Sequence, residues 1–259
     1  MTKTSQPGTQ LSHHTNEAIF YRGRNLVDEL LGRKTFIEVM FMQVTGRELD
    51  ADGLRVVDAV LVALMEHGMT PSAIATRLIY MSAPENLQGA VAAGLLGVGS
   101  QFIGTMENCA LLLEELVASA ASVPGGLDPA ARAIAERELA SGRALPGFGH
   151  HMHKPDDPRA IKLIEIGLEH PGFAGNHLNA LRALSQAVDT VRGAHLTINA
   201  TGAVAALLGE LGVPARVMRG FAVLARAAGL VAHVAEEQAE PSARHIWGLV
   251  DEEMTRHSR

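Results

Sequence analysis

Apolar residues recur at helical spacing through most of the chain, whereas alternating runs of the strand type are nearly absent. The segments are rich in Ala, Leu, Glu and Arg, which favour helix. We therefore predict an all-α fold. The pattern places helices at residues 53–67, 86–99, 128–141, 158–170, 176–192 and 214–238, with another beginning at Pro71.

Glycine and proline divide these segments. Gly68 follows the helix at residues 53–67, where its missing Cβ suits a left-handed cap. Pro71 is tolerated in the first turn of the next helix. The run at residues 124–126 predicts a loop, after which Asp128 is expected to cap a helix with Pro129 in its first turn. The Gly- and Ala-rich segment at residues 86–99 allows close backbone approach.

The chain has 259 residues, of which 47% are apolar, enough for one large domain or two packed lobes. Every stretch of eighteen residues carries a polar interruption, so a membrane span is not expected. Residues 1–16 lack the apolar run of a signal peptide, which predicts a mobile tail and a cytoplasmic protein.

Charge and cysteine content argue against a nucleic-acid-binding protein and against a disulfide-linked one. The net charge is −6 with only four lysines, which argues against nucleic-acid binding and leaves arginines for small anions. The single cysteine, Cys109, has no internal disulfide partner and lies among apolar residues, so we expect a buried, inert thiol.

The segment at residues 147–155 contains two glycines, three histidines and a proline, so it predicts a loop. His150 and His153 lack accompanying cysteine or carboxylate ligands at metal-binding spacing, and we predict no metal. A solvated loop is one interpretation. The other is a binding site, because a helix start at Asp157-Pro158 would place Arg159 in a first turn, where it and a histidine converge on a carboxylate.

Arg219, Arg226 and His233 recur every seven residues and therefore lie along one stripe of the helix after Pro214. We expect Arg219 to face water. Arg226 lies within an apolar run, where its charge requires a ligand or a carboxylate. His67, at a predicted helix end, is either a partner of the helix dipole or a site residue.

Residues 146–160 read PGFGHHMHKPDDPRA, and with these residues the chain resembles the citrate synthase-like family from about Tyr21 to His245. Among its members the chain is most similar to citryl-CoA lyases, including the lyase module of ATP-citrate lyase. The resemblance implies a large helical lobe at residues 1–107 and 220–259, with a smaller inserted lobe at residues 108–219. It also implies a site in the cleft and a homodimer paired through the helix that begins at Asn86.

The resemblance implies residue roles as well. His150 would be catalytic, contacting the hydroxyl or carbonyl oxygen of the substrate and accepting the hydroxyl proton. The substrate-binding residues would be His67, Arg159, Arg226 and Arg244, the last at a position that often acts in the site of the neighbouring subunit. Coenzyme A would contact Pro146, Gly147, Phe148 and Gly149.

Two positions depart from the synthase pattern. Ile103 stands where synthases have a histidine, a loss shared with the lyase module of ATP-citrate lyase. Thr201 stands where the family has its catalytic aspartate, leaving Thr201 or Asn199 as proton donor or polar support.

We therefore predict cleavage of citryl-CoA, or a related 3-hydroxy-3-carboxyacyl-CoA, to acetyl-CoA and a 2-oxo acid such as oxaloacetate. The coenzyme A thioester is then a substrate, and no bound cofactor is expected. The alternatives are citrate synthase-type condensation and a catalytically idle protein that binds an acyl-CoA or a di- or tricarboxylate.

Overall fold

A computed structural model of the protein describes residues 8–99 and 105–256. Ile103 therefore lies outside the described residues. The chain divides into two compact units, one ending at Asp58 and the other beginning at Ala59. The described part is helical apart from a small sheet near its start, which confirms the predicted helical class. The two-lobe division stays a prediction.

The first unit contains a three-stranded antiparallel sheet that the sequence pattern did not predict. Its strands are β1 (Ser12–His14), β2 (Ile19–Tyr21) and β3 (Arg24–Asn25), in the order β1-β2-β3. The prediction of a mobile tail over residues 1–16 is therefore wrong for Ser12–His14. The strands are too short and too exposed to show an alternating apolar pattern. A π-helical turn at Leu26–Leu30 and helix α1 (Phe36–Thr45) follow.

Most predicted helices are observed with shifts of a few residues at their ends. Helix α2 spans Ala51–Met65, so His67 lies beyond its end, and Gly68 has the positive φ expected of it, 71°. The remaining helices are α3 (Pro71–Ser82), α4 (Leu87–Leu96), α5 (Thr105–Ala120), α6 (Leu127–Ala140), α7 (Pro158–Leu168), α8 (Asn176–Arg192), α9 (Ala200–Glu210), α10 (Ala215–Ala239) and α11 (Ala243–Thr255).

One capping prediction is wrong. Gly126, rather than Asp128, is the N-cap of α6, and no side chain caps that helix end. The helix therefore begins one residue before Asp128, which lies in the first turn, where an acidic side chain still favours the helix dipole.

Helix α9 forms the centre of the second unit. All its residues from Gly202 to Gly209 are buried, as an apolar helix without a polar face requires. It packs against α5, α7 and α8, while α10 packs against α3, α4 and α5. Two helices that carry site residues at their first turns, α7 and α9, are therefore held side by side.

Helix α10 is, among the described residues, the one helix whose length and mean hydropathy of 1.4 would allow it to cross a membrane. The core helix of a globular protein can have the same length and hydropathy. Half of the relevant window is buried inside the chain, and the helix carries Arg219 and Arg226. Its packing is that of a core helix.

Candidate active site

A cleft of about 490 Å³ lies in the second unit, where the end of α2, the loop before α7 and the first turn of α9 come together. Its lining includes ten of the residues singled out in the sequence or implied by the resemblance, together with the neighbouring His151: His67, Pro146, Gly147, Phe148, Gly149, His150, Arg159, Asn199, Thr201 and Arg226. His67 thus lines the cleft, which is the position expected of a site residue.

The loop at residues 146–149 is fastened to the start of α9 by backbone contacts. Gly149 N–H donates to Thr197 O at 2.7 Å, and Asn199 N–H donates to Gly147 O at 3.0 Å. Gly147 has a φ of 83°, and a Cβ there would clash with the Cys109 side chain and lie 3.0 Å from Gly202 Cα. Glycine is therefore required at this close approach.

Arg159 lies in the first turn of α7, as predicted, and Asp157 holds it in place. Asp157 caps α7, and its fully buried carboxylate accepts from Arg159 Nε at 3.0 Å and Nη2 at 2.8 Å. It also accepts from the Ala200 amide at 3.1 Å. Burial acts to raise the pKa of Asp157, but the Arg159 hydrogen bonds and these amides outweigh it, and the pKa is lowered.

Two histidines converge on the free side of the Arg159 guanidinium. Arg159 Nη1 lies 3.3 Å from His67 Nδ1, and Arg159 Nη2 lies 3.2 Å from His150 Nε2. His150 Nδ1 accepts from the amides of Met152 at 3.1 Å and His153 at 3.0 Å. In a neutral His150 the ring proton is therefore assigned to Nε2. Arg159 Nη2 and His150 Nε2 are then adjacent donors that a single acceptor atom would satisfy.

Both histidines favour the neutral form. Burial lowers the pKa of His150, and the neighbouring His153 and Arg159 lower it further, although Asp157 opposes them. Burial also lowers the pKa of His67, followed by the charges of Arg159 and Arg226. At neutral pH both rings are therefore uncharged and present N–H groups to a ligand oxygen.

Arg226 is 3% exposed and lies at the cleft without a carboxylate in ion-pair contact among the described residues. Its Nη2 donates to Leu64 O at 3.2 Å, and its Nε has no hydrogen-bond partner. Burial lowers the pKa of Arg226 and the charge of Arg159 adds to this, while Glu66 acts in the opposite direction. Of the two partners predicted for Arg226, a carboxylate of the chain is not found among the described residues, and a ligand stays a prediction.

The stripe of Arg219, Arg226 and His233 on α10 does not act as one unit. Arg219 pairs with Glu107 at 2.9 Å and keeps a 37% exposed side chain, so it is partly solvated as predicted, but it is also paired. His233 contacts Glu66 and Arg77 rather than the cleft lining. Arg244 is exposed at the start of α11 and is absent from this cleft lining, so its role in a neighbouring subunit stays a prediction.

Thr201 and Asn199 provide a hydrogen-bonded support at the first turn of α9. Thr201 Oγ1 donates to Asn199 Oδ1 at 2.7 Å and lies 3.0 Å from Thr105 Oγ1. Asn199 in turn donates from Nδ2 to Gly149 O at 3.0 Å and caps α9 through the Gly202 amide. No aspartate or glutamate occurs among the described residues that line the cleft.

The histidine cluster and Cys109 are the two remaining groups that the sequence singled out. The described residues contain no group of three or more His, Cys, Asp or Glu side chains arranged to hold a metal ion. The prediction of a metal-free site remains a prediction. Cys109 is buried as expected, and burial raises its pKa to about 12, so its thiol is unreactive.

The sequence interpretation missed two acidic residues that support the site, Asp157 as an arginine clamp and Glu66 beside His67. Asp157 was recognised only as a helix start. An aspartate that caps a helix two residues before an arginine is a local signal for such a clamp. Glu66 gave no comparable signal, because its partners come from both its own turn and a distant helix.

Comparison with solved structures identifies helical relatives. Citryl-CoA lyase from Hydrogenobacter thermophilus is 31% identical and superimposes with a TM-score of 0.80, covering 90% of this chain and 87% of the lyase. ATP citrate lyase from Methanothrix soehngenii, solved with citrate and coenzyme A, is 21% identical with a TM-score of 0.75, which shows the fold alone. That match covers 92% of this chain and 40% of the lyase chain.

Related sequences point to the same group of proteins. The probable ATP-citrate synthase subunit 1 of Schizosaccharomyces pombe is 23% identical over 236 residues, which are 85% of this chain. The chain spans only 37% of the length of that relative. The family described as "Citrate synthase, C-terminal domain" matches residues 33–247. The chain, whose PGFGH loop and two arginines line one cleft, therefore belongs to the citrate synthase family.

Proposed function

We propose that this chain is a carbon–carbon lyase that cleaves citryl-CoA, or a related 3-hydroxy-3-carboxyacyl-CoA, to acetyl-CoA and oxaloacetate or another 2-oxo acid. Relatives in the family are enzymes that act on citrate or citryl-CoA. The observation that carries the proposal is Arg226, a buried guanidinium at the cleft with no carboxylate in ion-pair contact among the described residues. Its charge calls for an anionic ligand.

The substrate would bind through complementary charges. A carboxylate at Arg226 would neutralise its charge, while the free side of Arg159 and the Nε2–H groups of His67 and His150 would surround an oxygen. That oxygen begins as the tertiary hydroxyl and ends as the carbonyl oxygen of the 2-oxo acid. Preorganised donors of this kind stabilise the negative charge that develops on it.

The bond changes follow from this placement. The hydroxyl proton leaves to water, the oxygen forms the new carbonyl, and the carbon–carbon bond breaks. Its electron pair passes to the thioester, giving the enolate of acetyl-CoA, which takes a proton from water. We infer that His150 acts here as a hydrogen-bond donor rather than as the proton acceptor expected from the sequence. Its only other ring nitrogen, Nδ1, is already occupied by two backbone amides.

Condensation is the less favoured direction. It requires removal of a proton from the α-carbon of the thioester, for which a carboxylate base is the usual group. The described lining holds no carboxylate, and Thr201 directs its hydroxyl proton to Asn199. Cleavage instead needs the enolate to gain a proton, which solvent supplies.

The test is incubation of the purified protein with citryl-CoA and detection of oxaloacetate and acetyl-CoA by mass spectrometry. We expect both products, with release reduced on the order of 100-fold in His150→Ala. Release no faster than that of the His150→Ala variant would reject the proposal. A panel of other 3-hydroxy-3-carboxyacyl-CoA thioesters would identify the preferred 2-oxo acid.

A second function is favoured by the same absence of a carboxylate among the described lining residues. A catalytically idle protein that binds an acyl-CoA or a tricarboxylate would keep Arg159 and Arg226 but not the acid–base residue. Calorimetry with coenzyme A and citrate, run beside the turnover assay, separates the two. Tight binding without product would favour the idle protein.

A further inference from the structure

One face of α10 contacts the turn that carries His67. Arg226 donates to the carbonyl of Leu64, and a Cβ at Gly229 would clash with the carbonyl of Met65. Gly229 follows Arg226 by three residues, so both lie on the same face of the helix. Helix α10 is therefore pressed against the chain immediately before His67.

Glu66 adds a second contact between α10 and the turn that carries His67. Its Oε1 accepts from the amides of His67 at 2.8 Å and Gly68 at 2.6 Å. Its Oε2 lies 3.0 Å from His233 Nε2, off the direction of the ring N–H bond. His233 is four residues beyond Gly229 and so continues the same face of α10. One carboxylate thus joins the peptide of His67 to α10.

A buried arginine determines which ring nitrogen of neutral His233 carries the proton. Arg77 is 3% exposed, and its Nε donates to His233 Nδ1 at 3.0 Å. An arginine only donates, so in the neutral ring the proton of His233 lies on Nε2, which faces Glu66. Arg77 also pairs with Glu237 at 2.9 Å, and Glu237 accepts from the Ser242 amide at the start of α11. His233, which contacts Glu66, is therefore held in place by Arg77, and Arg77 is held in turn by Glu237.

We propose that Glu66 and His233 are positioning residues for His67. His233, oriented by Arg77, holds the Glu66 carboxylate, and Glu66 fixes the peptide that places the His67 ring beside Arg159. The contribution to catalysis rests on the proposed function, in which His67 binds the substrate oxygen. The placement of the His67 ring does not depend on that function.

The first test observes the His67 ring directly. In protein with ¹⁵N-labelled histidine, the His67 signals are assigned by their loss in His67→Asn. We expect wild-type His67 to show one tautomer, protonated at Nε2, because Arg159 Nη1 faces Nδ1. Glu66→Ala and His233→Leu should shift these signals toward the average of both tautomers.

A conservative variant separates positioning from simple loss of packing. The amide of His233→Gln can contact Glu66 through its NH2 group and accept from Arg77 through its oxygen, so this variant should keep the wild-type His67 signals, whereas His233→Leu should not. Glu165→Gln, an exposed acid paired with Lys162 on α7, is the matched control. Should His233→Leu fail to fold, Glu66→Ala decides, because Glu66 has a 45% exposed side chain.

The kinetic test uses citryl-CoA. We expect Glu66→Ala to lower kcat on the order of tenfold to 100-fold, because misplacement of a substrate-binding group by about 1 Å has effects of that size. KM for the thioester should change little. Unaltered His67 signals in both Glu66→Ala and His233→Leu would overturn the proposal. Altered signals in a protein that cleaves no citryl-CoA would support the positioning role while rejecting the lyase function.

Discussion

At the scale of single residues, we propose that Arg226 supplies the charge that binds an anionic ligand. A buried guanidinium without a carboxylate in contact destabilises the folded chain, and an anionic ligand removes that penalty. Arg159 differs, because Asp157 already occupies two of its nitrogens. We therefore propose separate roles for the two arginines of the cleft: Arg226 neutralises the charge of the ligand, and Arg159 orients it.

Arg226→Met should therefore weaken citrate binding without weakening the fold. We expect the melting temperature without ligand to stay equal or rise, and the stabilisation by citrate to fall by about 1.5–3 kcal/mol, the range for a charge-assisted hydrogen bond. Differential scanning calorimetry with and without citrate measures both. Arg219→Met, seven residues earlier on the same helix, should keep the citrate effect. An equal citrate shift in Arg226→Met and wild type would contradict the prediction.

Gly147 lies so close to Cys109 and Gly202 that a larger residue there should destabilise the fold. Gly147 and Gly142 both have positive φ, but only at Gly147 would a Cβ meet other atoms, those of Cys109 and Gly202. Gly142→Ala should cost about 1–2 kcal/mol of unfolding free energy from backbone strain alone. Gly147→Ala should cost about 1–3 kcal/mol more because of overpacking. Urea unfolding measures the difference, and equal losses in the two variants would show that the close approach is absent.

At the scale of elements, the first turns of α7 and α9 are joined through shared hydrogen bonds. Asp157 caps α7 and accepts from the Ala200 amide of α9. Nearby, His195 bridges the end of α8 to the segment before α7, with Nδ1 2.7 Å from Asp189 and Nε2 3.0 Å from Asp156. A ring with a carboxylate at both nitrogens is satisfied by the imidazolium form.

This bridge predicts a pH-dependent contribution to stability. Hydrogen bonds to Asp189 and Asp156 raise the pKa of His195 above its ordinary value of 6.5. Because the folded-state pKa is the higher one, the stabilisation is fully present below pH 6.5 and is lost as the pH rises through the folded-state pKa.

His195→Gln should therefore melt at a lower temperature than wild type at pH 6, and the gap should close at pH 9. Thermal unfolding followed by circular dichroism at both pH values checks this. His14→Gln, at an exposed position in β1, is the control and should show no such gap at either pH. A gap for His195→Gln that is the same at pH 6 and pH 9 would argue against a charged bridge.

At the scale of the whole molecule, we propose the homodimer implied by the family resemblance, paired through α4. Leu96, at the end of this helix, is 87% exposed, which is unusual for a leucine beside a Gly- and Ala-rich surface. A partner surface would cover it.

Leu96→Glu should then convert the dimer to a monomer, because it places a charge where the apolar faces meet. Sedimentation velocity measures the change. Leu168→Glu, at a 57% exposed leucine that ends α7, is the matched control and should remain a dimer. A wild-type chain that sediments as a monomer, or a Leu96→Glu variant that stays dimeric, would exclude pairing through α4.

The sequence by itself determined the helical class, most helix starts, the loop at residues 147–155 and the placement of Arg159 in a first turn. These features depend on neighbouring residues, through helix periodicity, capping and the geometry of glycine and proline. It also predicted that Arg226 is buried, because the apolar surroundings of this residue lie within its own segment, and Arg226 is indeed 3% exposed. The short sheet near the start escaped prediction because its exposed strands have too few residues to show a pattern.

Only the tertiary structure decided which residues meet. His67 and Arg159 are 92 residues apart in the chain, and Leu64 and Arg226 are 162 apart, so no local pattern relates them. The choice between the two roles of His67 and the contact of Glu66 with His233 depend on such contacts. The ring proton of His150 is instead decided within its own loop, by the amides of Met152 and His153. The burial of these side chains and the contacts between distant residues arise only when distant helices pack together.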